Sequence, residues 1–454
     1  MYSTRKALAA IGVATLAVGL VAGCSSSKPS ANKSSGTGSS SQSSQSASLS
    51  GKTFTVLGQW TGAEQTAFQA VLDEFKKQTG ATGAYSPVAG GDEATVLGTK
   101  VAGGTPPDVA MLALPGAISQ YAKAGKLQPL SSDAQSAVAA NYASVWTQLA
   151  TVNGKVYGVP FDASNKSTVW YRTKAFSDAG ISTPPATWPD FLKDGKTLAA
   201  SGVPVPISIG GGDGWTLTDW FENVYIRTAG LSMYDKLTHH QIAWTDPSVA
   251  KALTTLKTLW TDQTLIGSPS NALKVTFPAS VDNTFKASPT SAVVFEGSFV
   301  ATQISGDKLP AKVGTDAKFF PFPSVDGSQP ALVGGGDFAV GFTTNPAVQA
   351  FLKFLASPDA AKAMVSSPGS GFLSANKNLA SSAYPDQTSA ALGKQIVSVG
   401  DNFRFDMSDQ APAVFGGTPN KGEWLDLQNF LKDGNVSATQ QQLEKDAAAA
   451  KGWS

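Results

Sequence analysis

Residues 53–80 read T-F-T-V-L-G-Q-W-T-G-A-E-Q-T-A-F-Q-A-V-L-D-E-F-K-K-Q-T-G, and this stretch decides the fold class. Thr53–Leu57 has the composition of a strand that opens a domain. Thr61 and Glu64 then fit a capping box, in which a Thr hydroxyl and a Glu three residues later satisfy the free N–H groups of a helix start. Behind them Ala67, Phe68, Val71, Leu72 and Phe75 recur at helical spacing, and Gly80 stops the helix. A strand followed at once by an amphipathic helix is the first half of an α/β unit.

The alternation continues downstream. Gly103–Asp108 leads into the apolar run Val109–Leu114, bounded by Pro and Gly as a buried parallel strand should be. Ala117–Ala124 reads as helix and stops at Gly125. Further strands are expected at Ser167–Tyr171, Val205–Ile209 and Ala292–Phe295, and further helices at Trp188–Ala200 and Val249–Asp262. Asn345-Pro346 and Ser357-Pro358 each set a capping residue before a proline at the first helical position. The reading is α/β with mostly parallel sheets, in which ligands sit at the carboxyl ends of strands. About 400 residues follow residue 50, more than one hydrophobic core usually spans, so two lobes are expected.

The start of the chain is different in kind. Arg5 and Lys6 precede an apolar run from Ala7 to Ala22 that ends Val21-Ala22-Gly23-Cys24. A positive flank, a short apolar core and small residues mark residues 1–23 as a secretory signal peptide. Cys24 is the only cysteine in the chain, and the residues leading into it resemble a bacterial lipobox. That resemblance implies that Cys24 becomes the lipidated N-terminus. Residues 24–50 would then be a Ser-rich tether with almost nothing to bury.

Charge and composition exclude several functions. The chain has 34 Lys+Arg and 33 Asp+Glu, and Arg5, Lys6, Lys28 and Lys33 stand in the first 50 residues, so the folded part carries −3. That balance offers no electrostatic footprint for nucleic acid. One cysteine allows no internal disulfide, and with only His239 and His240 beside it a His/Cys zinc site has no ligand set. No metal and no cofactor is expected. No G-x-S-x-G elbow occurs, and the Gly210–Gly214 run lacks the Lys-Ser/Thr ending of a phosphate loop. A secreted glycoside hydrolase, which needs only two carboxylates, stays open at this point, as does a receptor for a non-sugar solute.

Four segments in a fixed order resemble the maltose-binding-protein-like solute-binding proteins of bacterial ABC sugar importers. They are Gly103–Leu130 (G-G-T-P-P-D-V through G-K-L-Q-P-L), Asn153–Pro160 with Trp170-Tyr171-Arg172 and Pro185–Phe191, then Phe295-Glu296-Gly297-Ser298-Phe299, and Gly334–Phe342 with its following helix pair. The resemblance implies a two-lobe periplasmic-binding-protein fold of type II, each lobe a mostly parallel sheet flanked by helices, with several hinge crossings. It implies a first lobe of 51–161 plus 297–335 and a second of 162–296 plus 336–454. It further implies a monomeric, non-catalytic receptor on the outer face of the cell membrane. That receptor would take a glucoside or oligosaccharide in an interlobe cleft and pass it to ABC permease subunits.

A sugar offers apolar C–H faces and a rim of hydroxyls, so its site needs aromatic plates edged by carboxylates, amides and Arg. Trp60, after the first strand, and Glu64, on the following helix, are candidates, as is Asp92 in its Gly90-Gly91 turn. Asp162 and Asn165 stand at the expected first crossing, where the resemblance implies a ligand contact. Trp215 follows the glycine run at a strand end, with Asp219 and Trp220 behind it. Glu296 ends a strand at the expected second crossing, and Gly336 and Asp337 stand at the next. Arg404 offers a hydrogen-bond fork to vicinal hydroxyls, or an ion pair to Asp401, Asp406 or Asp409.

Overall fold

The computed structural model describes residues 49–88 and 93–453. The signal peptide, Cys24, nearly all of the tether and Asp92 lie outside the described residues. Thr53–Gly58 is a strand and Gly62–Thr79 a helix that buries Ala67, Phe68, Val71, Leu72 and Phe75. Gly80 ends it in the left-handed region at φ 77°, where a Cβ would be strained. Thr61 stands at the N-cap, but its side chain accepts no cap hydrogen bond, so the expected capping box is not formed.

Three sheets organise the molecule. The first runs Thr82–Pro87, Thr53–Gly58, Val109–Leu112, Phe338–Gly341, Gly158–Pro160. The second runs Ala317–Pro321, Thr168–Arg172, Val293–Glu296, Ile207–Ser208. Between them a small sheet sets Leu332–Gly335 between Phe403–Phe405 and Ser164–Asn165. Each strand of this small sheet carries the chain from one lobe to the other. Ser164–Asn165 joins the first sheet to the second, and Leu332–Gly335 leads back. Phe403–Phe405 passes from helix Gln387–Val399 to the terminal helices.

Two expectations are corrected here. Pairing is more mixed than read from the sequence: Phe338–Gly341 is antiparallel to both neighbours, and Thr168–Arg172 is antiparallel to Val293–Glu296 and Ala317–Pro321. Both strands enter their sheets directly from a crossing, without the helix that returns a chain to the parallel direction. The lobe boundaries shift for the same reason. Ala317–Pro321 pairs with Thr168–Arg172 in the second sheet, so this strand belongs to the second lobe and not to the first. Phe338–Gly341 pairs with Val109–Leu112, so it belongs to the first lobe rather than the second.

Two apolar cores form, and the first reaches across to Trp170, Val294 and Ala317 of the second sheet. Phe54, Phe68, Phe75, Trp146, Phe338 and Phe351 anchor the first, and Trp220, Phe221, Trp244, Trp260, Phe295 and Phe322 the second. Each such side chain contributes about 2–3 kcal/mol on burial, which supplies the stability that a chain with one cysteine must find without disulfides. Among the described residues no helix is long and apolar enough to cross a membrane.

Candidate functional site

The crossing strands bring charged side chains to their ends. Asp162 stands just before Ser164–Asn165 and Lys166 just after it. Asp337 follows Leu332–Gly335, and Asp406 follows Phe403–Phe405. The strands pack closely: a Cβ on Gly336 would meet the carbonyl oxygen of Asp162 at 2.3 Å, and at Gly335 it would sit 3.9 Å from Cε of Lys166. Glycine here admits the neighbouring backbone and lets the lysine stem lie over the sheet.

Around Asp162 gathers a first group of acids. Asp162 Oδ1 accepts the backbone N–H of Asp337 at 2.7 Å, and Gln59 Nε2 reaches Asp337 Oδ1 at 3.5 Å. Burial, then Asp162, push the carboxyl of Asp337 well above the ordinary range, and burial raises Asp162 as well. Glu64 is half-buried; burial and then Asp162 raise its pKa. Glu93 is pushed up to about 7 by burial, and its Oε1 has no described partner. Freed from cap duty, Glu64 belongs electrostatically to this group.

The second group is built around Lys166. Its Nζ lies 3.4 Å from Asp219 Oδ1 and 3.6 Å from Asp409 Oδ2, and it bonds Asp406 Oδ2 directly. Burial works against the ammonium, but Asp219, Asp406 and Asp409 overrule it and hold its pKa well above the usual lysine value. Burial also opposes the Asp406 carboxylate; Lys166, then hydrogen bonds from Asp219, Lys166 and Ser408, bring its pKa below normal. Asp219 and Glu296 are raised, first by burial, and Asp219 Oδ2 and Glu296 Oε2 have no described partner. The three acids form a ladder of neighbouring carboxyls, Glu296, Asp219 and Asp406, in which Asp406 carries the charge that Lys166 balances.

Beside this ladder stands an aromatic face. Trp215, half-buried at the start of helix Trp215–Ala229, packs its ring 5.4 Å from Phe277 and 6.0 Å from Phe299. Phe299 folds back over Gly297, where a Cβ would strike its ring at 2.4 Å. Trp424 leans on Gly214, whose φ of 80° and close approach both require glycine. The preceding glycines face the protein's own chain. Cβ atoms on Gly210, Gly211 and Gly212 would meet the chain at Phe277, Ala272 and Val275 at 2.9–3.1 Å, so those glycines admit the segment 272–277.

Two cavities open between the lobes. One, of about 710 Å³, is walled by Thr61, Ala63 and Glu64 on one side and by Ala301, Thr302, Ser305 and Gly306 on the other, with Phe372 and Asp386 completing it. Its second wall is helix Val300–Gly306, which begins at Phe299. The other cavity, of about 530 Å³, lies between Pro115–Lys123 and the Asp235, His239, Arg404 and Gln410 side.

The remaining sequence candidates fall elsewhere. Trp60 is 3% exposed and packs among Phe68, Tyr85, Phe161 and Phe372, because the chain turns inward before the helix start. Trp220 is core, wedged between Phe295, Phe322 and Trp188, since helix Trp215–Ala229 is buried on all sides. Asn165 is spent on the joint: it donates to Gln395 Oε1 at 2.7 Å and accepts from Ser167 N–H at 2.9 Å. Arg404 does find an acid, but it is Asp235, held through Nε and Nη2, and not Asp401, Asp406 or Asp409. His240 pairs with Glu444 and is not a free loop residue. Among the described residues no group of three metal-ligating side chains forms. Lys166, Glu93, Phe299 and Trp424 were missed. Phe299 stood inside a quoted motif and Lys166 beside a candidate, whereas nothing local distinguishes Trp424.

The profile of the bacterial extracellular solute-binding proteins matches residues 59–362. The alpha-glucosides-binding periplasmic protein AglE of Rhizobium meliloti (strain 1021) is 30% identical over 382 residues, 81% of this chain and 81% of that one. The osmoprotective compounds-binding protein GgtB of Synechocystis sp. is 31% identical over 373 residues, 80% of this chain and 86% of that one. Apo RafE from Streptococcus pneumoniae shares the fold at a TM-score of 0.72 and 18% identity, over 89% of this chain and 99% of that one.

Proposed function

We propose, from the premise that the chain belongs to the bacterial extracellular solute-binding proteins, that it captures a glucoside or short oligosaccharide between its lobes for an ABC importer. It acts as a monomer, tethered by a lipid on Cys24 to the outer face of the cell membrane, and performs no chemistry on its cargo. Membrane permease subunits are its partners. The observation that carries this reading is the half-buried aromatic pair Trp215 and Phe299. Phe299 caps the helix that, with Glu64, walls the 710 Å³ interlobe cavity, and Trp215 packs against Phe299 from the start of its own helix. Aromatic rings suit sugar C–H faces, and half-buried carboxyls accept hydroxyl hydrogen bonds. AglE, by its name a binder of alpha-glucosides, points to the same ligand class.

We take Trp215 and Glu64 as ligand contacts, add Phe299, and keep Asp92 and Asp162 with them. Asp219, Glu296 and Asp337 position this site through the two buried carboxyl groups along the crossing strands. Closure follows because a ligand touching both lobes binds the closed state better.

A thermal-shift panel of mono- and oligosaccharides tests this. A cognate sugar at 100 times its Kd adds about 2.7 kcal/mol of apparent stability, and a W215A variant shows a several-fold to hundred-fold weaker response. Silence across the whole panel sinks the sugar reading, and release of free sugar from an oligosaccharide would instead reveal a hydrolase.

A further inference from the structure

Behind the crossing sheet lies a third cavity, of about 440 Å³, that the solute-capture reading does not use. Phe320 and Phe322 of the second lobe, with Pro184 and Pro330, give it apolar walls, and Ser398 and Val399 of helix Gln387–Val399 close the other side. One side chain breaks the pattern. Arg227 lines this cavity although it is 8% exposed, and its guanidinium lies over the Phe322 ring, 4.8 Å from the centroid.

A buried guanidinium normally has a carboxylate. Arg227 has none among the described residues. Nη1 donates to the carbonyl of Asn223 at 2.9 Å and to its Oδ1 at 3.0 Å, and Nη2 donates to the carbonyl of Ala331 at 3.1 Å. All three acceptors are neutral. Burial alone pulls the Arg227 pKa down to about 9, and no acid acts to restore it. The group still carries its charge at neutral pH. Of its five N–H donors, Nε–H and the second N–H of Nη2 have no described acceptor. Nε and Nη2 together form one edge of the guanidinium, the edge that a carboxylate can meet with two parallel hydrogen bonds.

We propose that this cavity is a second binding site, which takes a small monocarboxylate with an apolar or aromatic body. The carboxylate docks on the Nε and Nη2 edge of Arg227, and the body fills the space between Phe320, Phe322 and the prolines. The volume lies within the range of small-molecule sites and suits an occupant of the size of benzoate to 3-phenylpropionate. Because Arg227 reaches the crossing strands through Asn223 and Ser167 (Ser167 Oγ donates to Asn223 Oδ1 at 2.6 Å), the site sits on the hinge and apart from the solute cavity.

Titration of the intact protein with benzoate and 3-phenylpropionate, followed by calorimetry and ligand-observed NMR, tests the proposal without any sugar present. Saturable binding is expected, weaker by about 10- to 100-fold for benzamide and for an R227Q variant, as befits loss of charge-assisted hydrogen bonds. An S398W variant, at an exposed position on the rim, blocks the mouth without touching the arginine and abolishes binding. Absence of binding to the natural protein up to about 10 mM overturns the proposal, as does equal binding to S398W. Should R227Q fail to fold, S398W and the benzamide comparison decide the matter. A sugar-silent protein that binds benzoate would leave this site standing while the solute reading falls.

Discussion

Around Asp162 and Asp337 four carboxyls gather with no described cation to balance them, whereas around Asp219 and Asp406 a lysine sits among the acids. Both groups lie along the crossing strands and are largely withdrawn from solvent. In the first, burial holds Asp337 well above the ordinary range and pushes Glu93 up to about 7. In the second, burial raises Asp219 and Glu296, while Asp406 forms an ion pair with Lys166. Burial sets the same cost in each, so the presence of one ammonium decides whether a carboxyl here is neutral or charged. A region that holds its own counterion is fixed, while one that lacks it is free to accept donors from outside. On this argument the Lys166 group is framework, and the Asp162–Glu64 group is the part that responds to ligand.

The widest gap between the two should appear on removing Lys166. K166M leaves the Asp406 charge buried and unbalanced, so a loss of about 3–5 kcal/mol is expected, read from urea unfolding midpoints at neutral pH. A loss below about 1 kcal/mol would mean that the ladder does not depend on its cation, and the distinction drawn here would collapse.

Next in size is the pH response, in which Asp406 should pull against Glu93, while Asp219, Glu296 and Asp409, all raised, share the sense of Glu93. Glu93 titrates at about 7 when folded against an ordinary 4.5. Between those values the unfolded chain has lost this proton and the folded chain has kept it, so unfolding free energy falls as pH rises through the window. Asp426, pushed up to about 7 by burial and then Asp446, adds to the same slope. Asp406 behaves oppositely: its pKa is lowered, so its contribution is present above the unfolded value and disappears as pH falls below about 4. Stability of the empty protein should therefore peak near pH 5. E93Q should remove about 2 kcal/mol of the decline between pH 5 and 7.5, and an unchanged slope in E93Q would take Glu93 out of the account.

What could be read in advance follows from how local the determinant is. The strand and helix of residues 53–80, and the helix starts at Asn345-Pro346 and Ser357-Pro358, were legible because period and cap are written within a few residues. Asn345 and Ser357 do accept cap hydrogen bonds, from Ala347 and Ala360. The lobe that Phe338–Gly341 joins was not legible, since four apolar residues carry no sign of direction or partner. Trp220 misled for a related reason: helix Trp215–Ala229 is buried from Thr216 through Arg227, so no polar stripe tells an inward ring from a ligand plate. Acids do stand along the crossings, but which of them meets a lysine depends on three chain segments some 50 to 240 residues apart. Only folding brings those together.

The smallest effect is the most diagnostic of the responsive group. Glu64 is half-buried, and both its burial and the neighbouring Asp162 disfavour its charge. E64Q removes that charge at nearly constant volume. In the empty protein this should relieve repulsion and raise stability by about 0.5 kcal/mol, visible as a melting point higher by a degree or two. If Glu64 is the ligand contact proposed above, the same change weakens a hydroxyl acceptor, so affinity should fall by a few-fold. A residue retained for packing would show the reverse, with lower stability and unchanged affinity. Strain that is relieved only when a ligand supplies donors marks a position held for binding. Glu64, standing three residues beyond a cap that does not form, is where that distinction can be measured most directly.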